Sequence, residues 1–311
     1  MCKKEIDINA ELQKEVKKFG SVPESSNLTK KAIGDVSGYK MAIRRAARDL
    51  TARTLTRKED AQGDLVAALL DDKNGLLKAI IDFFNLEEPM EEEKFDEWHN
   101  TVCNDIILPE IRKIYTQKNG KEVYYGKAQK ILNMTLKGCY CLSGADKKQA
   151  YFKHCHITLD SFTLAWYKAN GGKEAKNEWS NIEENEYKAI QRDIRDNISP
   201  KFTMFGKITP FQKEFFIWPM EIMISTVKEL NKTLGGIRAD CYVEQYFENR
   251  NLSNELKMSK ALLGMYVPET TDLNFIDWLN RKAESKQKIK NSAEYILTHY
   301  ALFPEEPLIH K

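Results

Sequence analysis

An amine and a carboxylate are the two groups needed to break a bond to an anomeric carbon, and one stretch of this chain offers both. Residues 124–142, YYGKAQKILNMTLKGCYCL, read as a helix carrying Lys127, Lys130 and Lys137. A polar connection, SGADKKQAYFK, leads into HCHITLDSFTLAWY, where Asp160 stands at the start of a further helix. Lys130 and Asp160 are thirty positions apart on consecutive helices, so their tips can face one another across a cleft.

At the helical period, Ile131, Leu132, Thr135, Leu136, Cys139 and Leu142 share a broad apolar stripe. Lys127, Lys130, Met134, Lys137 and Cys141 fall on the adjoining face. A face that mixes Lys with Met and Cys predicts partly desolvated lysines, and desolvation lowers an amine's pKa toward the nucleophilic range. The plainer expectation is that these lysines snorkel, with stems on apolar surface and heads in water. Asp160 precedes Ser161-Phe162-Thr163-Leu164 and reads as an N-cap, accepting backbone N–H groups at the positive end of a helix dipole. A capping carboxylate stays ionised and rigid, as a group that stabilises a developing cation must.

The order of a helix with K-x6-K, a loop, an apolar run, Asp at a helix start and then an aromatic-rich helix resembles the helix-hairpin-helix DNA glycosylases. The branch it is most similar to is the archaeal-type 8-oxoguanine glycosylases, over about forty of the 311 residues. On that resemblance Lys130 matches the nucleophilic lysine, Lys137 the second lysine of the pattern and Asp160 the catalytic aspartate. Trp166 falls where the family tends to be aromatic. The family's Leu-Pro-Gly-x-Gly hairpin has no counterpart, and the chain offers Asn119-Gly120 and Gly126 for a phosphate-gripping turn. His154-Cys155-His156 stands where small apolar residues and proline are usual.

The resemblance implies excision of a flipped damaged or modified base from double-stranded DNA, without metal or organic cofactor. Asp160 would stabilise an oxocarbenium-like transition state, and Lys130 would attack the sugar carbon, form a Schiff base and lead on to abasic-site cleavage. With Lys130 an ammonium, water would serve as nucleophile. Arg44, Arg45 and Arg48 are the candidate phosphate contacts, and Gly126, Lys127, Lys137, His154, His156 and Trp166 complete the expected DNA-binding set. The rival expectation is a non-catalytic helical module that binds nucleic acid or a protein partner, in phage defence for example, and needs neither Lys130 nor Asp160.

Other chemistry is less well served. Cys139-x-Cys141 and His154-x-His156 supply zinc-type ligands, but helix residues two apart point away from each other. Cys155 beside His154 or His156 is a further candidate nucleophile, although sequence neighbours seldom present side chains to one another. No Walker loop, dinucleotide fingerprint, nucleophile elbow or HExxH occurs in the chain, which argues against most nucleotide-hydrolysing, redox and metalloprotease classes.

The elements that must hold this site are helical. Residues 38–58 alternate Ala, Ile and Leu with Arg; residues 62–85 hold two apolar turns broken at Asn74-Gly75; residues 95–115 form a helix interrupted near Pro109. Residues 182–198 read as a charged helix, and Pro210 starts an apolar one that Pro219 should kink. Strand signals are few, so the expected fold is all-α. The expected organisation is an N-terminal helical segment (1–27), a core (28–234) and a C-terminal module (237–311), divided at Gly235-Gly236. Between Lys30 and Lys58 there are nine Lys/Arg and two Asp, and between Glu87 and Glu97 seven acids and one lysine. Such polarity suits a face turned to a polyanion, or two segments that pair with each other. With a polar start, scattered cysteines and no run of eighteen apolar residues, the expected setting is the cytoplasm, off the membrane.

Overall fold

The structure is a computed structural model that describes residues 7–118, 120–200, 208–218 and 221. One of the chain's two compact units comprises residues 7–215. The described residues up to 200 hold nine α-helices and one strand pair: α1 (Ile8–Ser21), α2 (Val36–Thr54), α3 (Leu65–Leu69), α4 (Leu76–Phe84), α5 (Glu92–Thr101), α6 (Leu108–Ile114), α7 (Tyr125–Tyr140), α8 (Ser161–Ala169) and α9 (Glu184–Asp193). Strands β1 (Leu55–Arg57) and β2 (Tyr115–Gln117) pair antiparallel, so the fold of the described residues is all-α apart from one short ribbon. Residues 210–218 are helical, beginning at Pro210 as expected. The kink expected at Pro219 and the division at Gly235-Gly236 lie outside the described residues.

Caps set the helix starts. The side chains of Asp7, Asp35, Asp64 and Asp160 each accept N–H bonds from the first turn of α1, α2, α3 and α8. The predicted apolar stripe of α7 is fully inside, with Ile131, Leu132, Thr135, Leu136 and Cys139 at 0% exposure. Across from it lies α2, and Gly138 sets how closely the two helices approach. A Cβ at Gly138 would stand 2.9 Å from that of Ala42.

Pro109 does not interrupt its helix as expected. The chain instead widens into a π-helical stretch, Val102–Ile107, and Leu108 N–H bonds back to Cys103 O. Proline has no N–H to give the preceding turn, and one wider turn lets the helix pass through without breaking. A second π-helical stretch, Ile194–Ile198, continues α9 just before Pro200.

The segment entering α8 is the least expected feature. Residues 155–160 are buried, yet belong to no helix or strand among the described residues. Buried backbone groups must find partners, and here side chains supply them. Ile157 O accepts from Asn133 Nδ2 (3.3 Å) and Gln191 Nε2 (2.8 Å), and Thr158 N donates to Glu214 Oε2 (2.7 Å). Thr163 Oγ1 donates to Thr158 O (2.6 Å) and accepts from Asp160 N (2.9 Å). Leu159 gives its N–H to Gln129 Oε1 (3.2 Å) and takes Gln129 Nε2 on its carbonyl (2.8 Å).

Candidate active site

The cap at the head of α8 and the lysine face of α7 meet. Asp160 Oδ1 accepts from Phe162 N (2.9 Å) and Thr163 N (3.1 Å), and Thr163 closes a capping box on the Asp160 amide. The other oxygen, Oδ2, lies 3.7 Å from Lys130 Nζ. The two side chains are 9% and 16% exposed, so the pair is mostly desolvated while one edge still meets water. A carboxylate held by two backbone donors beside an amine can take a proton from that amine or face a cation forming near it.

Trp179 lies over this edge. Its ring centroid is 4.6 Å from Lys130 Nζ and 4.3 Å from Lys127 Nζ, so a single indole covers both amines. Gly126 makes that arrangement possible: a Cβ there would stand 1.9 Å from Trp179 O, and its amide donates to Ile182 O (2.9 Å). The glycine therefore serves a close approach of the 179–182 segment, and its N–H is engaged within the protein.

Lys127 is buried, and burial, followed by the neighbouring Lys130 charge, pushes its amine down to about 8. Unfolded, that lysine returns to the ordinary 10.5, so between these values the unfolded chain binds more protons. Stability conferred through this residue must then rise with pH across that window. Urea unfolding at pH 8 and pH 10 is expected to show the native protein gaining on Lys127→Met. Parallel curves for the two proteins would contradict the assignment.

The remaining predicted residues are dispersed. Lys137 is buried in an ion pair with Glu214 (Nζ to Oε1, 2.8 Å), with the Phe19 and Phe215 rings at 4.8 and 4.9 Å. Trp166 is fully buried within α8. His156 is buried between Asp96 (2.7 Å) and the Tyr187 hydroxyl (2.9 Å), and burial lowers its pKa. None of the three reaches the surface where a duplex could touch it. His154, partly exposed, lies 3.5 Å from Glu92. Arg44 and Arg48 point outward from α2, whereas Arg45 donates to Phe19 O (2.9 Å) and lies over the Phe19 ring, tying α1 to α2.

The acidic run meets cations other than the basic segment: Arg195 takes Asp96 with both terminal nitrogens (3.0 and 2.9 Å) and reaches Glu92 at 3.3 Å. Burial pushes the Cys155 thiol up, the reverse of what a thiolate nucleophile requires. Cys139 and Cys141 are likewise buried with their thiols raised, and no group of three metal-ligating side chains gathers among the described residues.

Sequence reasoning passed over Gln129, Asn133, Trp179 and Glu214. Gln129 and Asn133 sit one turn apart on α7, both buried, on a face outside the predicted apolar stripe. Trp179, a lone aromatic in the polar stretch NGGKEAKNEWSN, was the available sign. Behind the site Asn133 leads to His99 (2.8 Å) and Tyr187 (2.9 Å), a buried polar network that braces α5, α7 and α9. Among the described residues no helix is long and apolar enough to cross a membrane. Comparison of the chain with family models, curated proteins and solved structures finds no match.

Proposed function

We propose that this protein is a DNA glycosylase that excises a damaged or modified base through Lys130 and Asp160, and that also opens the resulting abasic site. One observation carries the reading: an amine and a rigidly capped carboxylate, thirty residues apart in sequence, stand 3.7 Å from one another with 16% and 9% of their side chains exposed. A base must be turned out of the stack to reach such a pair, at a cost of about a few kcal/mol. As the C1′–N bond breaks, its electron pair leaves with the base and positive charge builds on the sugar, facing Asp160. Lys130 Nζ, as the neutral amine, then bonds through its lone pair to C1′ and releases a proton to solvent. The nitrogen lone pair opens the C1′–O4′ bond, O4′ takes up a proton and an iminium is left; loss of the C2′ proton to solvent then expels the 3′-phosphate and cuts the strand. Arg44 and Arg48, exposed on α2, suit phosphate contacts that position a duplex without reading its sequence.

Borohydride trapping on a duplex with an abasic site tests this directly, together with excision from a panel of modified duplexes. The expected result is a covalent adduct for the native protein and none for Lys130→Gln. Lys127→Gln separates the two amines: an adduct that persists there and vanishes in Lys130→Gln assigns the bond to Lys130. If native protein gives neither adduct nor excision, Lys130–Asp160 is a structural ion pair and the chain a binding module.

A further inference from the structure

We infer that Gln129 is a positioning residue for the Lys130–Asp160 pair, fixing the carboxylate at working distance from the amine; this rests on the proposed function. Gln129 is fully buried, and its amide is saturated. Nε2 donates to Gly126 O and Leu159 O, both at 2.8 Å, while Oε1 accepts from Leu159 N (3.2 Å) and Asn133 Nδ2 (3.0 Å). An amide has two donors and two acceptor lone pairs, and every one is used. Turning the amide over would set its N–H groups against two other N–H groups, so the network fixes its orientation.

The placement matters as much as the number of bonds. Gln129 precedes Lys130 in α7, and Leu159 precedes Asp160. The paired bonds between Gln129 and the Leu159 backbone work like one rung of a β-ladder made by a side chain. They join the two chain segments one residue away from each reacting group. Thr163 and the first turn of α8 orient the Asp160 side chain but belong to its own element, and cannot set its distance from α7. Reacting groups misplaced by about 1 Å lose on the order of 10²-fold in rate, which is the loss this clamp prevents.

Two substitutions test the role. Gln129→Met keeps the volume and removes all four bonds. Gln129→Glu keeps the acceptor toward Leu159 N but, ionised, sets a charge against Leu159 O; protonated, its hydroxyl can donate there as the amide does. Single-turnover excision at saturating enzyme, duplex Kd and circular dichroism are measured for each. The expected result is a rate lower by on the order of 10²-fold in Gln129→Met, with duplex Kd within about threefold of native. Gln129→Glu is expected to recover rate as pH falls, relative to native protein at the same pH, and carries the test alone should Gln129→Met fail to fold. A folded Gln129→Met with native rate, or a Gln129→Glu whose deficit ignores pH, overturns the positioning role and leaves the site reading intact. Native protein without excision or trapping overturns both.

Discussion

Asp160→Asn is expected to leave the fold in place and to lower base excision by on the order of 10³-fold. Asparagine keeps an oxygen for Phe162 N and Thr163 N, and it ranks with aspartate as a cap, so the loss in stability should stay below about 1 kcal/mol. What disappears is the negative charge 3.7 Å from Lys130 Nζ. The same variant should still trap on a duplex whose abasic site is already formed, because imine formation on a free aldehyde does not wait for the glycosidic bond to break. Excision lost with trapping retained separates a catalytic carboxylate from a cap. Equal loss of both, or loss of neither, removes Asp160 from the assigned role.

The second large effect falls on stability. Lys137 and Glu214 are 2% and 1% exposed, and Glu214 also receives the Thr158 amide. Removing one partner of a buried pair strands the other charge, so Lys137→Met is expected to cost about 3–5 kcal/mol. Against a total that is typically about 5–15 kcal/mol, that is enough to bring the unit near its threshold. Burial raises the Glu214 carboxyl above its ordinary range, with Lys137 pulling the other way. A raised carboxyl favours folding at low pH and loses that contribution as pH rises. The Lys137→Met deficit should therefore be largest near pH 8 and shrink toward pH 5, as the stranded carboxylate takes up a proton. Adding Glu214→Gln, which keeps an acceptor for Thr158 N, should restore most of the loss at pH 8. Chemical denaturation of the four proteins in a double-mutant cycle reads this out.

Most of the helices were legible because their cause is local. The apolar stripe of α7, the break at Asn74-Gly75 between α3 and α4, and the Asp160 cap follow from periodicity and side-chain capping within a few residues. The snorkelling expectation suits none of the three lysines fully: Lys127 and Lys137 are inside, and Lys130 shows only 16% of its side chain. What could not be read was long-range. Nothing near Lys137 announces Glu214, and nothing near Gly126 announces the carbonyl of Trp179 that fills its missing Cβ. Pro109 misled because proline forbids one hydrogen bond, not the helix, and the π-helical stretch before it accommodates the loss.

The run from Ile157 to Asp160 hangs from residues as far along the chain as Gln191 and Glu214. A nascent chain that has just cleared Asp160 already possesses Lys130 and Asp160, yet lacks the anchors contributed by Gln191 and Glu214. The set of anchors is therefore complete only after residue 214 has been added. Until then the chain holds Lys130 and Asp160 without the long-range ties that set their separation.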